Sequence, residues 1–284
     1  GAPFTLKEML DYGVLDHADA VSEQSATATG EAQLEGTLEA IREGWDKANF
    51  TLNNHRDQED VYVLGALDEI FLLLEDNQVT LQTMLGSRYI AGVHAEVEEW
   101  EKKLALLSDT LDEWTACQKS WMYLETIFGA PDIQKQLPVE AQKFLLVDKS
   151  WKSTLKACSD NSKVIASIDD GDRLLKEFEY CVETLDQIQK SLEDYLQTKR
   201  MAFPRFYFLP NEDLIEILSQ TRDPQAVQPH VGKCFDAIKR LQFGEKREAH
   251  NIKGFYDPKT EFVPSSEDVL AEGPVETWLK SFEA

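Results

Sequence analysis

The sequence predicts a mainly all-α fold: an elongated rod of successive antiparallel helix bundles carrying two small β-hairpins. Three observations predict it. Apolar residues recur at three- and four-residue steps over most of the 284 residues. Charged residues make up 29% of the chain, against only 14 glycines and 10 prolines, a balance that suits long, solvent-facing helices. One stretch, 89–128, keeps a single apolar seam from end to end; at 1.5 Å per residue such a helix reaches about 60 Å, longer than a compact domain needs.

Taken in order, Thr5 caps a short helix through Leu10. A helical pattern follows from about His17 to Ala48. Its middle, SEQSATATGEAQ, is weak because Ser, Thr and Gly30 lower propensity, and its second half is firm on Leu34, Leu38, Ile41 and Trp45. Two alternating runs, Phe50–Asn53 and Asp60–Leu64, read as a first hairpin, which must lean on a helix to be stable. Helix resumes over 67–85, with Ile70, Leu73 or Leu74, Leu81 and Met84 inward. Gly86-Ser87 stops it.

The long helix 89–128 follows, its seam being Val97, Trp100, Leu104, Leu107, Leu111, Trp114, Trp121, Leu124 and Phe128 at close to heptad spacing. Gly129-Ala130-Pro131 breaks it, DIQKQL makes a turn, and Pro138 opens a helix to about Cys158 as its first residue. Ser159–Asn161 turns, Asn161 caps a short helix ending near Ile168, and Asp169–Asp172 starts a long helix to Phe203, where acidic residues suit the dipole.

That helix stops in a basic, aromatic knot. Leu185, Ile188, Leu192 and Tyr195 or Leu196 carry its apolar face, and Lys199 and Arg200 fall near its C-terminus. Phe203-Pro204 ends it, since proline lacks an N–H and restricts the residue before it. Arg205-Phe206-Tyr207-Phe208 then reads as extended, with Asn211 capping the next short helix. Pro224 and Pro229 introduce a helix to Leu241. Asn251–Val263 reads as a second hairpin turning at Tyr256–Lys259, and Pro274 opens a last helix. In domain terms, residues 3–128 form an N-terminal bundle with its hairpin near 50–64, and 129–172 are broken helices and a candidate hinge. Residues 173–284 form a C-terminal bundle with its hairpin near 251–263. Gly1-Ala2 is expected to be an expression scar, and the pattern running out at Ala284 an artificial boundary.

Function is narrowed by what the chain lacks. A net charge of −23 argues against nucleic acid and anionic membranes as partners, and no apolar run approaches a membrane span. Cys117, Cys158, Cys181 and Cys234 form no CxxC pair and read as free thiols in a reducing, intracellular compartment. With no secretory signal, the Asn49-Phe50-Thr51 glycosylation triplet reads as chance. There is no phosphate loop, no GxGxxG and no HExxH. The histidines at 17, 55, 94, 230 and 250 are scattered. His230 with Cys234 gives at most half a metal site, and the acidic groups at 96–99 and 169–172 lack calcium-loop spacing. No catalytic, cofactor-binding or metal residue is therefore expected. The tryptophans read mainly as helix packing, the alternative being anchors for a partner. Lys199, Arg200 and Arg205 read either as helix-end compensation with cation–π contacts or as a docking point.

Several long stretches resemble one known family. WTACQKSWMYLETIF (114–128) matches a W-x-x-x-Q-x-x-W-x-Y-L-E-x-I-F block at Trp114, Gln118, Trp121, Tyr123, Leu124, Glu125, Ile127 and Phe128, followed by Asp132, Ile133, Leu137 and Pro138. FTLKEML (4–10), EAQLEGTLEAIREGW (31–45), the stretch from Tyr195 to Ile238 and GPVETWL (273–279) are similar to other parts of it. The family is the dynein heavy chains, in their linker region, N-terminal region 2. SQTRDPQAVQPHVGKCF (219–235) is most like the axonemal, and more weakly the inner-arm, branch; NIKGFYDPKTEFVPSSEDVL (251–270) departs from the family's second hairpin.

The resemblance implies a non-catalytic mechanical lever that bends and straightens across an AAA+ ring, with 173–284 the ring-proximal bundle. It implies that the ring of the same heavy chain is the partner, that ATP and Mg²⁺ belong to that ring, that the fragment is monomeric, and that it resides in the axonemal cytoskeleton of a cilium or flagellum. Lys199, Arg200, Phe203, Arg205, Phe206, Trp114 and Trp121 are the interaction and mechanical candidates. The competing reading is a helical scaffold or adaptor of spectrin-like or tethering type; it calls for near-equivalent repeats, and none is visible.

Overall fold

A computed structural model describes residues 5–56, 58, 60–220, 223–245 and 248–284; the expected scar at Gly1-Ala2 lies outside them. The fold is mainly all-α. The helices are α1 (Leu6–Asp11), α2 (Ala18–Lys47), α3 (Asp68–Leu85), α4 (His94–Phe128), α5 (Pro131–Gln136), α6 (Pro138–Asp160), α7 (Arg173–Ala202), α8 (Asn211–Ser219), α9 (Gln228–Cys234) and α10 (Val275–Glu283), with short 3₁₀ turns at several of the junctions. Strands β1 (Leu52–Asn54) and β2 (Tyr62–Leu64) pair antiparallel. Strands β3 (Arg240–Phe243), β4 (Asn251–Tyr256) and β5 (Phe262–Leu270) form an antiparallel sheet in that order.

The chain divides into two compact units, each discontinuous in sequence. The first comprises the described residues of Gly1–Thr115 with Lys152–Glu179. Its core is built from Leu38, Ile41 and Trp45 of α2, Leu74, Leu81 and Met84 of α3, Val97 to Trp114 of α4, and Leu174 and Phe178 of α7. Of the seam expected on α4 only Trp100 is half-buried, with the Lys103 ammonium 5.5 Å from its ring. A fully buried Leu, Ile or Phe contributes about 1.5–3 kcal/mol, so the periodic faces account for the helices. The loop after α6 is tied to the loop after α2: Phe50 N–H donates to the Ser162 carbonyl at 2.7 Å and Val164 N–H to that of Ala48 at 3.1 Å.

α2 runs unbroken through its weak middle. Gly30 is there for contact: a Cβ at this position would lie 2.3 Å from the Tyr89 ring. The helix expected from Tyr89 begins instead at His94, after a 3₁₀ turn over Ile90–Gly92, and DIQKQL is a helical turn, α5, opened by Pro131.

The second unit comprises Ala116–Trp151 and Tyr180–Ala284. Trp121, Leu124 and Phe128 of α4, Phe144 and Trp151 of α6, and Leu185, Ile188, Leu192 and Leu196 of α7 are buried in it. Leu196, not Tyr195, carries the last inward position. Two expectations are corrected in this unit. The helix predicted to reach Leu241 ends at Cys234, because Arg240–Phe243 pairs with β4; the second hairpin is therefore a three-stranded sheet. Asn211 is not a cap: Pro210 precedes α8, and the Asn211 side-chain Oδ1 accepts from Arg200 at 2.8 Å.

Candidate mechanical joint

The end of α7 is built by its sequence. Phe203 N–H still donates to the Lys199 carbonyl at 3.1 Å. Phe203 itself then turns extended, with φ −135° and ψ 96°, as the residue before proline must. Pro204 does not lead into an extended segment, as expected, but opens a 3₁₀ turn over Pro204–Phe208. Its fixed φ suits the first position of a helical turn. The turn separates the three adjacent aromatics: Phe206 is buried, whereas Tyr207 and Phe208 are exposed.

Phe203 and Phe206 meet edge to face at 5.0 Å. Phe203 approaches Phe235, just past α9, at 6.2 Å; Phe235 meets Phe282 of α10 at 6.1 Å, and Phe282 meets Phe255 of β4 at 6.3 Å. Five rings thus run from the end of α7 to α10 and the sheet. Such ring pairs add about 0.5–1.5 kcal/mol each beyond the area they bury.

Three cations bracket these rings. The Arg200 guanidinium donates to the carbonyls of Phe206 and Leu209, at 3.4 and 3.0 Å, closing the 3₁₀ turn on itself. Arg205 Nε donates to Glu283 at 2.8 Å, its Nη1 to the Cys234 carbonyl at 3.1 Å, and its guanidinium lies 4.6 Å from the Phe235 ring centre. It therefore holds the last turn of α9 and the last turn of α10 together. Lys199 Nζ contacts Glu276, in the first turn of α10, at 2.6 Å, and sits 5.3 Å from the Tyr195 ring. The Tyr195 hydroxyl donates to Gln136 of α5. Burial, with Glu276 nearby, pushes its acidity far below that of a free phenol.

The neighbouring polar groups are engaged as well, although His230 Nδ1 has no hydrogen-bond partner among the described residues. His230 lies buried between two carboxylates of α8, with Nε2 3.1 Å from Glu216 and Nδ1 3.5 Å from Asp213. Asp213 also meets Lys233 at 2.5 Å, and that hydrogen bond holds its carboxyl below the usual range. Burial pushes the Cys234 thiol up to about 11, opposed by Arg205. His230 and Cys234 are thus engaged with separate neighbours.

Lys199, Arg200, Phe203, Arg205 and Phe206 come together in this joint; Trp114 and Trp121 do not belong to it. Trp114 lies in the first unit's core, stacked on Phe178 at 4.9 Å and edge-on to Phe50 at 5.2 Å. Trp121 lies in the second unit's core, stacked on Trp151 at 5.2 Å and donating its indole N–H to Asp148 at 3.0 Å. Sequence reasoning missed Phe235, Phe255, Phe282, Glu276 and Glu283. One signal for the acids was present: they lie two turns apart on one face of α10.

The described residues form a mainly helical module whose basic and aromatic side chains converge on a packed, charge-clamped joint. The chain belongs to the dynein heavy chain family: residues 2–284 match the family model "Dynein heavy chain, N-terminal region 2". It is 43% identical to Dynein axonemal heavy chain 6 of Homo sapiens over 99% of its own length and 7% of that protein's. It is 40% identical to Dynein axonemal heavy chain 3 of Mus musculus (98% and 7%) and 39% identical to Dynein axonemal heavy chain 1 of Mus musculus (99% and 6%). The chain therefore spans less than a tenth of the length of these relatives. Among the described residues no helix is long and apolar enough to cross a membrane.

Proposed function

We propose that the chain is the non-catalytic mechanical linker, or lever, of an axonemal dynein heavy chain. In this reading it bends and straightens across the AAA+ ring of the same heavy chain and so converts ATP hydrolysis into microtubule sliding. ATP and Mg²⁺ belong to that ring, not to this segment. The segment works as a monomer in the axoneme of a cilium or flagellum, with neither nucleic acid nor membrane as partner. Family membership and the axonemal names of the relatives support the setting.

One observation carries the mechanical part: α10 is fastened at two points, to the end of α7 through Lys199–Glu276 and to the 3₁₀ turn after it through Arg205–Glu283, around a run of packed rings. Close-packed side chains yield little under load, so a helix locked this way passes force to the next. Bending then falls on the interruptions around 129–138 and 159–172, where few residues have to absorb the change.

The test is the parent heavy chain carrying Arg205→Ala together with the charge-free pair Lys199→Met and Glu276→Leu, which removes both clamps without leaving a buried charge unpaired. Sliding velocity is expected to fall while ATP turnover in the ring persists. Unchanged velocity, or turnover by the isolated 284-residue chain, would sink the reading.

A further inference from the structure

β5 does not pair evenly with β4. Ile252 faces Val269 and Gly254 faces Pro264, so Ser265, Ser266, Glu267 and Asp268 together oppose the single residue Lys253. The extra residues bulge from a strand that has no neighbour on its outer side among the described residues. Lys253 reaches the end of the bulge, meeting Asp268 at 2.5 Å. Ser265 and Ser266 line a groove of about 820 Å³ whose other walls include Arg205, Phe235, Phe255 and Glu283. The bulge and the joint thus share one groove.

Ser265 has Glu267 and Asp268 at the second and third positions after it. Kinases with a basic substrate cleft read such downstream acids by charge pattern. Thr5, Thr110, Ser167 and Ser191 also have an acid three residues on. Those four are held in helices or turns: Thr5 bonds Glu8 in a capping box, Thr110 the Leu106 carbonyl and Ser167 the Val164 carbonyl, and Ser191 lies within α7. Of the five, Ser265 lies on an extended strand, the conformation a kinase cleft accepts.

We infer that Ser265 is a phosphorylation site whose phosphate displaces Glu283 from Arg205 and frees the turn of α10 that carries Glu283. In the step itself the serine oxygen bonds to the γ-phosphorus of ATP, supplied with Mg²⁺ by an acidophilic serine/threonine kinase. The bond from that phosphorus to the departing ADP breaks, and the hydroxyl proton passes to the kinase's base. The product carries a charge of about −1.5 to −2 and three acceptor oxygens. Across the groove it competes for the Arg205 fork and repels the Glu283 carboxylate; both effects open the same ion pair. Arg205 and Glu283 are each more than a third exposed, at 38% and 39%, so their exchange requires no unfolding.

The experiment treats the folded 284-residue chain with such a kinase and Mg-ATP, locates phosphate by peptide fragmentation, and follows amide exchange in α10. The expected result is one phosphate, on Ser265, with the amides of α10 around Glu283 exchanging several-fold faster. Ser265→Ala abolishes both changes and Ser266→Ala neither. In Arg205→Gln the α10 exchange is already fast and phosphorylation adds nothing. Failure to label the folded chain, phosphate on another residue, or phosphate on Ser265 with unaltered α10 exchange would each overturn the inference. Labelling and amide exchange are read without any motor movement, so these outcomes are separable from failure of the lever reading.

Discussion

Glu276 gives one carboxylate oxygen to the Lys199 ammonium at 2.6 Å and keeps the other buried without a hydrogen-bond partner among the described residues. The two side chains are 17% and 11% exposed, so water screens the pair little. Removing one partner of such a pair leaves an uncompensated buried charge, at about 3–5 kcal/mol; replacing both with apolar groups is often neutral. Lys199→Met should therefore destabilise the chain severely, and Lys199→Met with Glu276→Leu should recover most of the loss. Urea unfolding of the two variants measures this. A double variant no more stable than the single would show that the pair does not act as a unit.

Arg205 should behave differently. Its ion pair with Glu283 is partly exposed, and such pairs contribute about 0.2–1 kcal/mol. Its stack on Phe235 and its bond to the Cys234 carbonyl remain. Arg205→Ala should cost about 1–2 kcal/mol in all, seen as a lowered Tm. Arg205→Lys should not restore it, because an ammonium cannot serve two acceptors and a ring face as a planar fork does. An unchanged Tm in Arg205→Ala would reduce the knot to a plain helix terminus.

These two cations show how much was legible in the sequence. Lys199 and Arg205 stood out as positive charge at a helix end, but their partners Glu276 and Glu283 lie 77 and 78 residues away. Long-range pairing of this sort leaves no periodic trace. The helices with a continuous buried face, such as α3 and α4, were readable because burial imposes its own period. β3 was not: Arg240–Phe243 looks like the end of a helix, and it is a strand because β4 lies beside it. The 3₁₀ turn after Phe203 was hidden by aromatic residues that favour strands in general; Pro204 and the closing bonds from Arg200 decide otherwise here.

Two glycines of α2 separate propensity from packing. A Cβ at Gly36 would meet nothing within 4 Å, and the residue is exposed. Gly36→Ala should therefore stabilise the chain by about 0.5–1 kcal/mol, the usual helix gain. Gly30→Ala gains the same propensity but puts its methyl 2.3 Å from the Tyr89 ring. Overpacking costs about 1–3 kcal/mol, so the net effect should be destabilising. Thermal melts of the two variants should move in opposite directions. If both rise, Tyr89 swings aside without loss.

Two thiols, the half-buried Cys158 and the buried Cys234, set an alkaline limit. Burial raises both Cys158 and Cys234 to about 11, from an ordinary value of 9.0. Each then binds its proton more tightly in the folded chain than in the unfolded one. Their contribution to stability is complete below pH 9 and is lost progressively as pH rises through 11, because only the unfolded chain gains by ionising first. Denaturation midpoints measured from pH 8 to 11 should fall over that window, and Cys158→Ser with Cys234→Ser should flatten the slope. Alkylation provides an independent readout. At pH 8 a small haloacetamide should label Cys234 slowly in the folded chain and rapidly in denaturant, since the thiolate is the reactive form. Equal labelling rates in the two states would mean that α9 and the Arg205 contact open readily, and the joint would then not be the rigid element argued for above.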